Sequence, residues 1–266
     1  MYLRQTSSKD GCIWFCQSLW LFRRNPTSIL FLIFIYLLFV QLVVLIPVVG
    51  ALAVLILTPI ISIGFMRVCR AVNLGEPVSP LVFVDSYRQS ESCTKRRLLG
   101  LGVIYALAIL AISLVIASVV PTEALVTAVI QQQPLNNQAL QQFYTALAAW
   151  LVLYLPFAML MWFAPVLVFW QKMSIIKAFF LSFIACWQHR KAFMLYLGMW
   201  GVVVIVIPFI FETLMMWLGL GSWTGLVVAP YSVLVLAILY CSFYMTWTGC
   251  FEENLATEDM HSLTSS

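Results

Sequence analysis

Six long stretches without a charged residue constrain this chain more than any other feature. They cover residues 29–47, 51–66, 98–120, 143–170, 192–211 and 224–248. An α-helix rises about 1.5 Å per residue, so about 20 mostly apolar residues cross the roughly 30 Å of hydrocarbon in a bilayer. The stretches therefore predict an all-α fold: a polytopic integral membrane protein with six transmembrane helices.

The composition excludes a soluble domain. Of the 266 residues, 63% are hydrophobic and 9% are charged, whereas about 25% are charged in a typical soluble domain. A folded sphere with so few charged side chains could not cover its surface with them. A β-barrel is excluded because its strands alternate apolar and polar residues, and these stretches do not alternate. The net charge of +4 is spread over small groups, so we expect no nucleic acid as a partner.

Three shorter segments combine aromatic with basic side chains, at residues 11–24, 79–89 and 174–187. Aromatic rings prefer the headgroup level of a bilayer, and basic groups meet anionic lipid there. We predict amphipathic helices that lie in the membrane interface. The alternative is that each segment extends the adjacent spanning helix. Within the spans, Pro156 and Pro165 predict kinks, and Pro208 and Pro230 lie in the fifth and sixth spans.

All 14 Lys and Arg residues fall on one side of the six predicted spans. The opposite side holds the turn near residue 50, the loop at 121–141 and the turn at 212–223, where Glu123 and Glu212 are the charged residues. Lys and Arg collect in cytoplasmic loops, so the pattern predicts that both termini are cytoplasmic. None of the seven cysteines falls in an exterior loop, and we expect no exterior disulfide.

The chain has the pattern of an internal repeat. Residues 18–26 and 182–190 occupy the same register before a spanning stretch, and both copies enter from the same side, so the repeat is parallel. We predict one integral membrane domain over residues 1–266. It divides into a first repeat at 1–72 with helices 1 and 2, a middle hairpin at 73–172 with helices 3 and 4, a second repeat at 173–250 with helices 5 and 6, and an acidic cytoplasmic tail at 251–266.

The predicted spans carry no ionisable residue near mid-membrane, where such residues mark ion and proton pathways. This argues against a proton-coupled or ion-coupled transporter and against intramembrane proteolysis, and it predicts that the protein is not an enzyme. We also expect no cofactor and no metal site, since His189 and His261 are far apart and no cysteine ladder accompanies them.

Polar side chains within the spans are the first group of candidate contacts. They are Gln41, Tyr231, Tyr240 and Tyr244. Each can serve an interhelical hydrogen bond or packing contact, or it can line a path for a solute. Five tryptophans near the span ends are interpreted as belt anchors at the membrane surface: Trp170, Trp187, Trp217, Trp223 and Trp247.

Basic residues beside the interfacial aromatics are the second group. They are candidate contacts for anionic lipid: Arg23, Arg24, Lys95, Arg96, Arg97, Arg190 and Lys191. A basic residue near an anionic leaflet contributes about 1 kcal/mol to membrane attraction. The alternative is that these residues only set the topology.

Three motifs carry a resemblance to a known family. They are Leu21-Phe22-Arg23-Arg24-Asn25-Pro26, Cys69-Arg70-Ala71 followed by Gly75-Glu76-Pro77, and Phe163-Ala164-Pro165. The chain resembles an uncharacterised proteobacterial family of six-helix inner-membrane proteins and, more loosely, the membrane module attached to some bacterial glycerophosphodiester phosphodiesterases. The resemblance implies this architecture and a bacterial inner (plasma) membrane, and it implies no activity.

These observations favour a non-enzymatic inner-membrane protein with a structural, assembly or envelope-associated role. The alternatives are a carrier or channel for an apolar or lipid-like solute, and a membrane module that serves a separately encoded lipid enzyme. The expected partners are membrane lipids and either a membrane protein or a second copy of the chain. A cavity lined by Gln41 or the sixth-span tyrosines would favour transport, whereas a closed core packed with tryptophan would favour the structural role.

Overall fold

The computed structural model describes residues 2–4, 6–78, 91–119 and 137–252. The predicted interfacial helix at 79–89, most of the loop at 121–141 and most of the acidic tail at 251–266 lie outside these ranges. The elements in chain order are β1 (Tyr2–Leu3), α1 (Asp10–Arg24), α2 (Pro26–Val44), α3 (Val49–Leu74), α4 (Ser92–Val119), α5 (Asn137–Met161), α6 (Ala164–Trp170), α7 (Ile175–Gln188), α8 (Arg190–Gly201), a π-helical segment (Val202–Val206), α9 (Ile207–Trp217), a 3-10 turn (Gly221–Trp223), α10 (Thr224–Cys250) and β2 (Phe251–Glu252).

Six helical stretches are long and apolar enough to cross a membrane. They are Pro26–Val44, Val49–Leu74, Ser92–Val119, Asn137–Trp170, Arg190–Trp217 and Thr224–Cys250. Each overlaps one of the six predicted stretches, and most extend beyond it because the polar residues at their ends remain helical. The prediction of an all-α polytopic membrane protein with six transmembrane helices is therefore confirmed.

A short break separates α1 from the first span. Asn25 leaves the helical region at φ −149° and ψ 68°, and its side chain accepts a hydrogen bond from the Ser28 N–H at 3.2 Å. Pro26 occupies the first turn of α2, where its missing N–H costs nothing because that group has no partner within the helix. The segment that was predicted to lie in the interface is thus a helix of its own. A second break, at His189, separates α7 from α8; there the helix begins without a side-chain cap.

The chain forms two compact units. The first unit comprises Met1–Leu45, Ile61–Gln89 and Ala185–Ser266, and the second comprises Ile46–Ile60 and Ser90–Ile184. The first unit thus combines much of the two predicted repeats, and the second contains the middle hairpin, α6 and most of α7.

In the first unit α1 packs against α10 and α8. Two glycines permit the close approach: a Cβ at Gly11 would collide with the Ala192 carbonyl, and a Cβ at Gly249 would collide with the Trp14 indole. Trp14 is 2% exposed, and its ring lies edge-on to Phe193 at 5.5 Å. The N-terminal strand β1 pairs antiparallel with β2 at the other end of the chain.

In the second unit α4 packs against α5 and α6. A Cβ at Gly102 of α4 would collide with the Ile56 carbonyl of α3, so these two helices approach backbone to backbone. The fourth span is divided at Phe163, just before Pro165, as the prediction of a kink there requires. Pro156 lies within the continuous helix α5.

The interpretation of Trp247 as a belt anchor is wrong. Trp247 is 1% exposed, and its ring centroid lies 4.5 Å from that of Phe251. A belt residue must reach the headgroups, and a ring enclosed by protein cannot. Trp187, Trp217 and Trp223 are exposed, as a belt position requires.

Candidate functional site

The candidate tyrosines of the last span are held by aromatic packing. Tyr240 on α10 stacks on Phe65 of α3 with centroids 3.9 Å apart, and Tyr36 of α2 meets its ring edge-on at 6.2 Å. The Cys69 thiol donates to the Tyr240 carbonyl at 3.8 Å. Tyr244, one turn further along α10, is buried. The middle of the first unit is thus a packed aromatic cluster contributed by three helices.

Tyr231 makes a different kind of contact, a hydrogen bond to the backbone beside Pro208. In the π-helical segment the Ile207 N–H donates to the Val202 carbonyl, five residues back. The next residue is Pro208, which has no N–H and leaves the Val203 carbonyl without its donor. The Tyr231 hydroxyl donates to that carbonyl at 2.5 Å. Tyr231 therefore supplies from α10 the hydrogen bond that Pro208 cannot make.

Gln41 lies apart from these tyrosines. It occupies an exposed position on α2, where its side chain faces away from the first unit's core. The four intramembrane candidates therefore occupy three separate environments: an exposed helix face, the π-helical segment and the aromatic cluster. The structure does not bring them together around one site.

The seven basic candidates also divide into different environments. The Arg24 guanidinium lies over the Trp20 ring at 4.1 Å and donates to the Asn73 carbonyl at 2.9 Å. The Arg190 guanidinium lies over the Trp187 ring at 5.6 Å and donates to the Trp187 carbonyl at 3.2 Å. The others in the first unit, Arg23 and Lys191, are exposed.

Arg97, in the second unit, is held by the backbone. Its guanidinium donates to the carbonyls of Lys172 at 2.6 Å and Met173 at 3.4 Å. Lys172 has the left-handed conformation, with φ 50°, so Arg97 holds together the bend between α6 and α7. The Lys172 ammonium pairs with the Glu91 carboxylate, and this hydrogen bond lowers the pKa of Glu91. Arg96 on the same turn is exposed, and Lys95 is half-buried.

Ser182 was not identified from the sequence as a functional residue. Its side chain forms hydrogen bonds with the backbone on both sides of the break in the fourth span. In an unbroken α-helix the Phe163 N–H would donate to the Met159 carbonyl. Instead, the Ser182 hydroxyl accepts from the Phe163 N–H at 3.0 Å and donates to the Met159 carbonyl at 2.8 Å. One hydroxyl from α7 thus fills the gap on both sides. The sequence signal for it is a small polar residue between two apolar ones, Leu181 and Phe183.

His189 and its surroundings were missed as well. His189 is 2% exposed, and its two ring nitrogens lie 2.7 Å from the carbonyls of Ala185 and Arg4. It therefore ties the N-terminal segment to the junction of α7 and α8. Cys186 lies nearby on α7, and burial raises the pKa of its thiol to about 12. Among the described residues no three His, Cys, Asp or Glu side chains come together as a metal site would require.

Most of the chain is similar in sequence to a bacterial protein. A protein of Burkholderia thailandensis described as a probable inner membrane protein is 38% identical over 261 residues, which are 94% of this chain and 94% of that protein. No protein-family model and no solved structure match the chain. Because identity of this level extends over both proteins, the chain belongs to the family of bacterial inner membrane proteins that the Burkholderia thailandensis protein represents.

Proposed function

We propose that this multi-pass inner-membrane protein is non-enzymatic and has a structural or assembly role in the bacterial envelope. The observation that carries the proposal is the packed aromatic core of the first unit. Trp14 and Trp247 are buried in it, and Tyr240 stacks on Phe65. A solute path needs side chains that a passing molecule can reach, whereas Trp14, Trp247 and Phe65 are at most 2% exposed.

Polar side chains of the first unit form hydrogen bonds with one another or with the backbone, which supports this role. The Tyr196 and Ser242 hydroxyls bond to each other at 2.6 Å, and the Tyr231 hydroxyl is bonded to the Val203 carbonyl. Such bonds join α8 to α10 and hold helices in place. We expect the protein to act through its surface, towards lipid and towards a membrane protein or a second copy of the chain.

Both termini are proposed to be cytoplasmic. The pairing of β1 with β2 supports one side for both chain ends, since the Arg4 N–H also donates to the Cys250 carbonyl at 3.1 Å. The position of all 14 Lys and Arg residues supports the cytoplasm as that side.

Reconstitution tests the structural role. The protein is placed in vesicles of phosphatidylethanolamine and phosphatidylglycerol, and movement of a fluorescent phospholipid between the leaflets is measured. We expect the phospholipid to move between the leaflets no faster than it does in vesicles without protein. We also expect native mass spectrometry to show a defined oligomer or complex. Trp14→Ala should disrupt that assembly, because removing a buried tryptophan costs about 3–5 kcal/mol.

One feature favours the alternative, a carrier or channel for a lipid-like solute. The π-helical segment Val202–Val206 interrupts the fifth span directly before Pro208, and π-helical turns often mark functional sites. Accelerated lipid movement that Tyr231→Phe or Gln41→Leu abolishes, with unchanged thermal stability, would establish the carrier and refute the structural role.

A further inference from the structure

Two arginines next to spanning helices lie on exposed tryptophan rings. Arg24 ends α1, and α2 begins two residues later; Trp20, one turn before Arg24, is 48% exposed. Arg190 begins α8, and Trp187 in the last turn of α7 is 57% exposed. Both pairs therefore lie where a short helix meets a helix that can cross the membrane.

Each guanidinium is oriented by two contacts before any ligand arrives. Arg24 combines the Trp20 ring with the Asn73 carbonyl, and Arg190 combines the Trp187 ring with the Trp187 carbonyl. A guanidinium has five N–H donors, so one bond to a carbonyl leaves donors for an anion. The fork geometry of these donors suits a phosphate group.

The position of the two pairs identifies the kind of anion. Tryptophan prefers the headgroup level of a bilayer. Trp20 lies six residues and Trp187 three residues before the start of a span. A group held at that depth meets the phosphate of a phospholipid.

We propose that the protein has two binding sites for the phosphate of an anionic phospholipid, one formed by Trp20 and Arg24 and the other by Trp187 and Arg190. The inference rests on the proposed cytoplasmic placement of these residues. It separates them from neighbours of equal charge. Arg23 and Lys191 are exposed, like Arg24 and Arg190, but in the described part of the chain neither lies over a tryptophan ring. Arg97 is bonded to the carbonyls of Lys172 and Met173. The basic residues of this surface are thus not equivalent.

Native mass spectrometry of the protein released from vesicles of equal parts phosphatidylglycerol and phosphatidylcholine tests the sites. We expect two phosphatidylglycerol molecules per chain to be retained. Arg24→Gln and Arg190→Gln should each remove one, so that one phosphatidylglycerol per chain remains. The matched controls, Arg23→Gln and Lys191→Gln, change the same charge at the adjacent position and should keep both lipids.

A second pair of variants separates stacking from charge. Trp20→Leu leaves every charge in place and should also lose one lipid, whereas Trp20→Phe preserves an aromatic face and should retain it. Equal loss in Arg23→Gln and Arg24→Gln, or full retention in Trp20→Leu, would overturn the proposal. Either result leaves the structural role intact, because lipid movement and assembly are measured separately.

Discussion

At the scale of single residues, hydroxyl groups replace backbone hydrogen bonds that breaks in the helices have removed. Ser182 fills the gap between Met159 and Phe163, and Tyr231 serves the carbonyl that Pro208 leaves without a donor. An unsatisfied backbone group is costly in hydrocarbon because no water can replace the lost partner. These two hydroxyls therefore have a structural role.

Substituting Ser182 by alanine should destabilise the protein by about 1–3 kcal/mol, because it removes the buried hydrogen bonds of this hydroxyl to the Phe163 N–H and the Met159 carbonyl. Ser18 is the matched control: it is equally buried, but its hydroxyl donates to the Phe15 carbonyl in its own helix. Ser18→Ala should cost much less. Thermal unfolding in detergent gives both values, and equal losses would contradict the role assigned to Ser182.

The Tyr231 hydroxyl should couple to Pro208. We expect Tyr231→Phe to destabilise the protein by about 0.6–2 kcal/mol, the range for hydrogen bonds between membrane helices. Pro208→Ala restores a backbone N–H opposite the Val203 carbonyl, so in that background Tyr231→Phe should cost little. A double-mutant cycle of unfolding free energies measures the coupling. Additive effects would show that the two residues act independently.

At the scale of elements, the contact of α1 with α10 depends on the absence of a side chain at residue 249. A Cβ there would collide with the Trp14 indole, which is rigid and buried. Gly249→Ala should therefore cost about 1–3 kcal/mol through overpacking.

The control for this change is Gly198→Ala on α8. A Cβ at Gly198 meets no atom within 4 Å, and alanine is a better helix former than glycine by about 1 kcal/mol. This variant should be neutral or slightly more stable than the wild type. Thermal unfolding compares the pair, and similar losses in both would show that the packing of α1 is not the cause.

At the scale of the whole molecule, labelling of the cysteines can test both the orientation of the protein in the membrane and the burial of individual thiols. Cys16 and Cys93 are exposed, whereas Cys69, Cys186, Cys241 and Cys250 are buried. A membrane-impermeant maleimide should label Cys16 and Cys93 in inside-out vesicles and neither of them in intact spheroplasts. Leu220→Cys, in the turn between α9 and α10, should be labelled from the opposite side. Labelling of Cys16 in spheroplasts would refute the cytoplasmic N-terminus.

The buried thiol of Cys186 should stay unreactive even at alkaline pH. Burial raises its pKa to about 12, so the folded protein keeps the proton where an unfolded thiol, with a pKa of about 8.5, releases it. The contribution of this group to stability should therefore decrease as the pH rises above about 8.5. Labelling at pH 9 with and without denaturant measures the difference; rapid labelling of folded protein would contradict the burial.

The number of membrane spans and their approximate bounds could be predicted from the sequence, because the cost of placing charges in hydrocarbon separates spans from loops. The sequence left open whether the segment at 11–24 is a separate helix or extends the first span, and the break at Asn25 makes it a separate helix. The burial of Trp247 could not be predicted, because an aromatic residue near the end of a span suits either the headgroups or the core. Which one it meets depends on whether α1 covers that end of α10.

For the candidate sites, too, the sequence predicted some features and others depended on tertiary packing. Residue type was sufficient to select the arginines near the interface, but not to distinguish Arg97, bonded to backbone, from Arg24, stacked on tryptophan. The contacts of His189 and Ser182 were not predicted, because their partners lie 185 and 19 residues away in the chain. The sequence by itself determined that the protein crosses the membrane six times, since that follows from local hydrophobicity. Only the tertiary structure decided which polar groups are satisfied, because their partners come from helices that packing, not sequence order, makes adjacent.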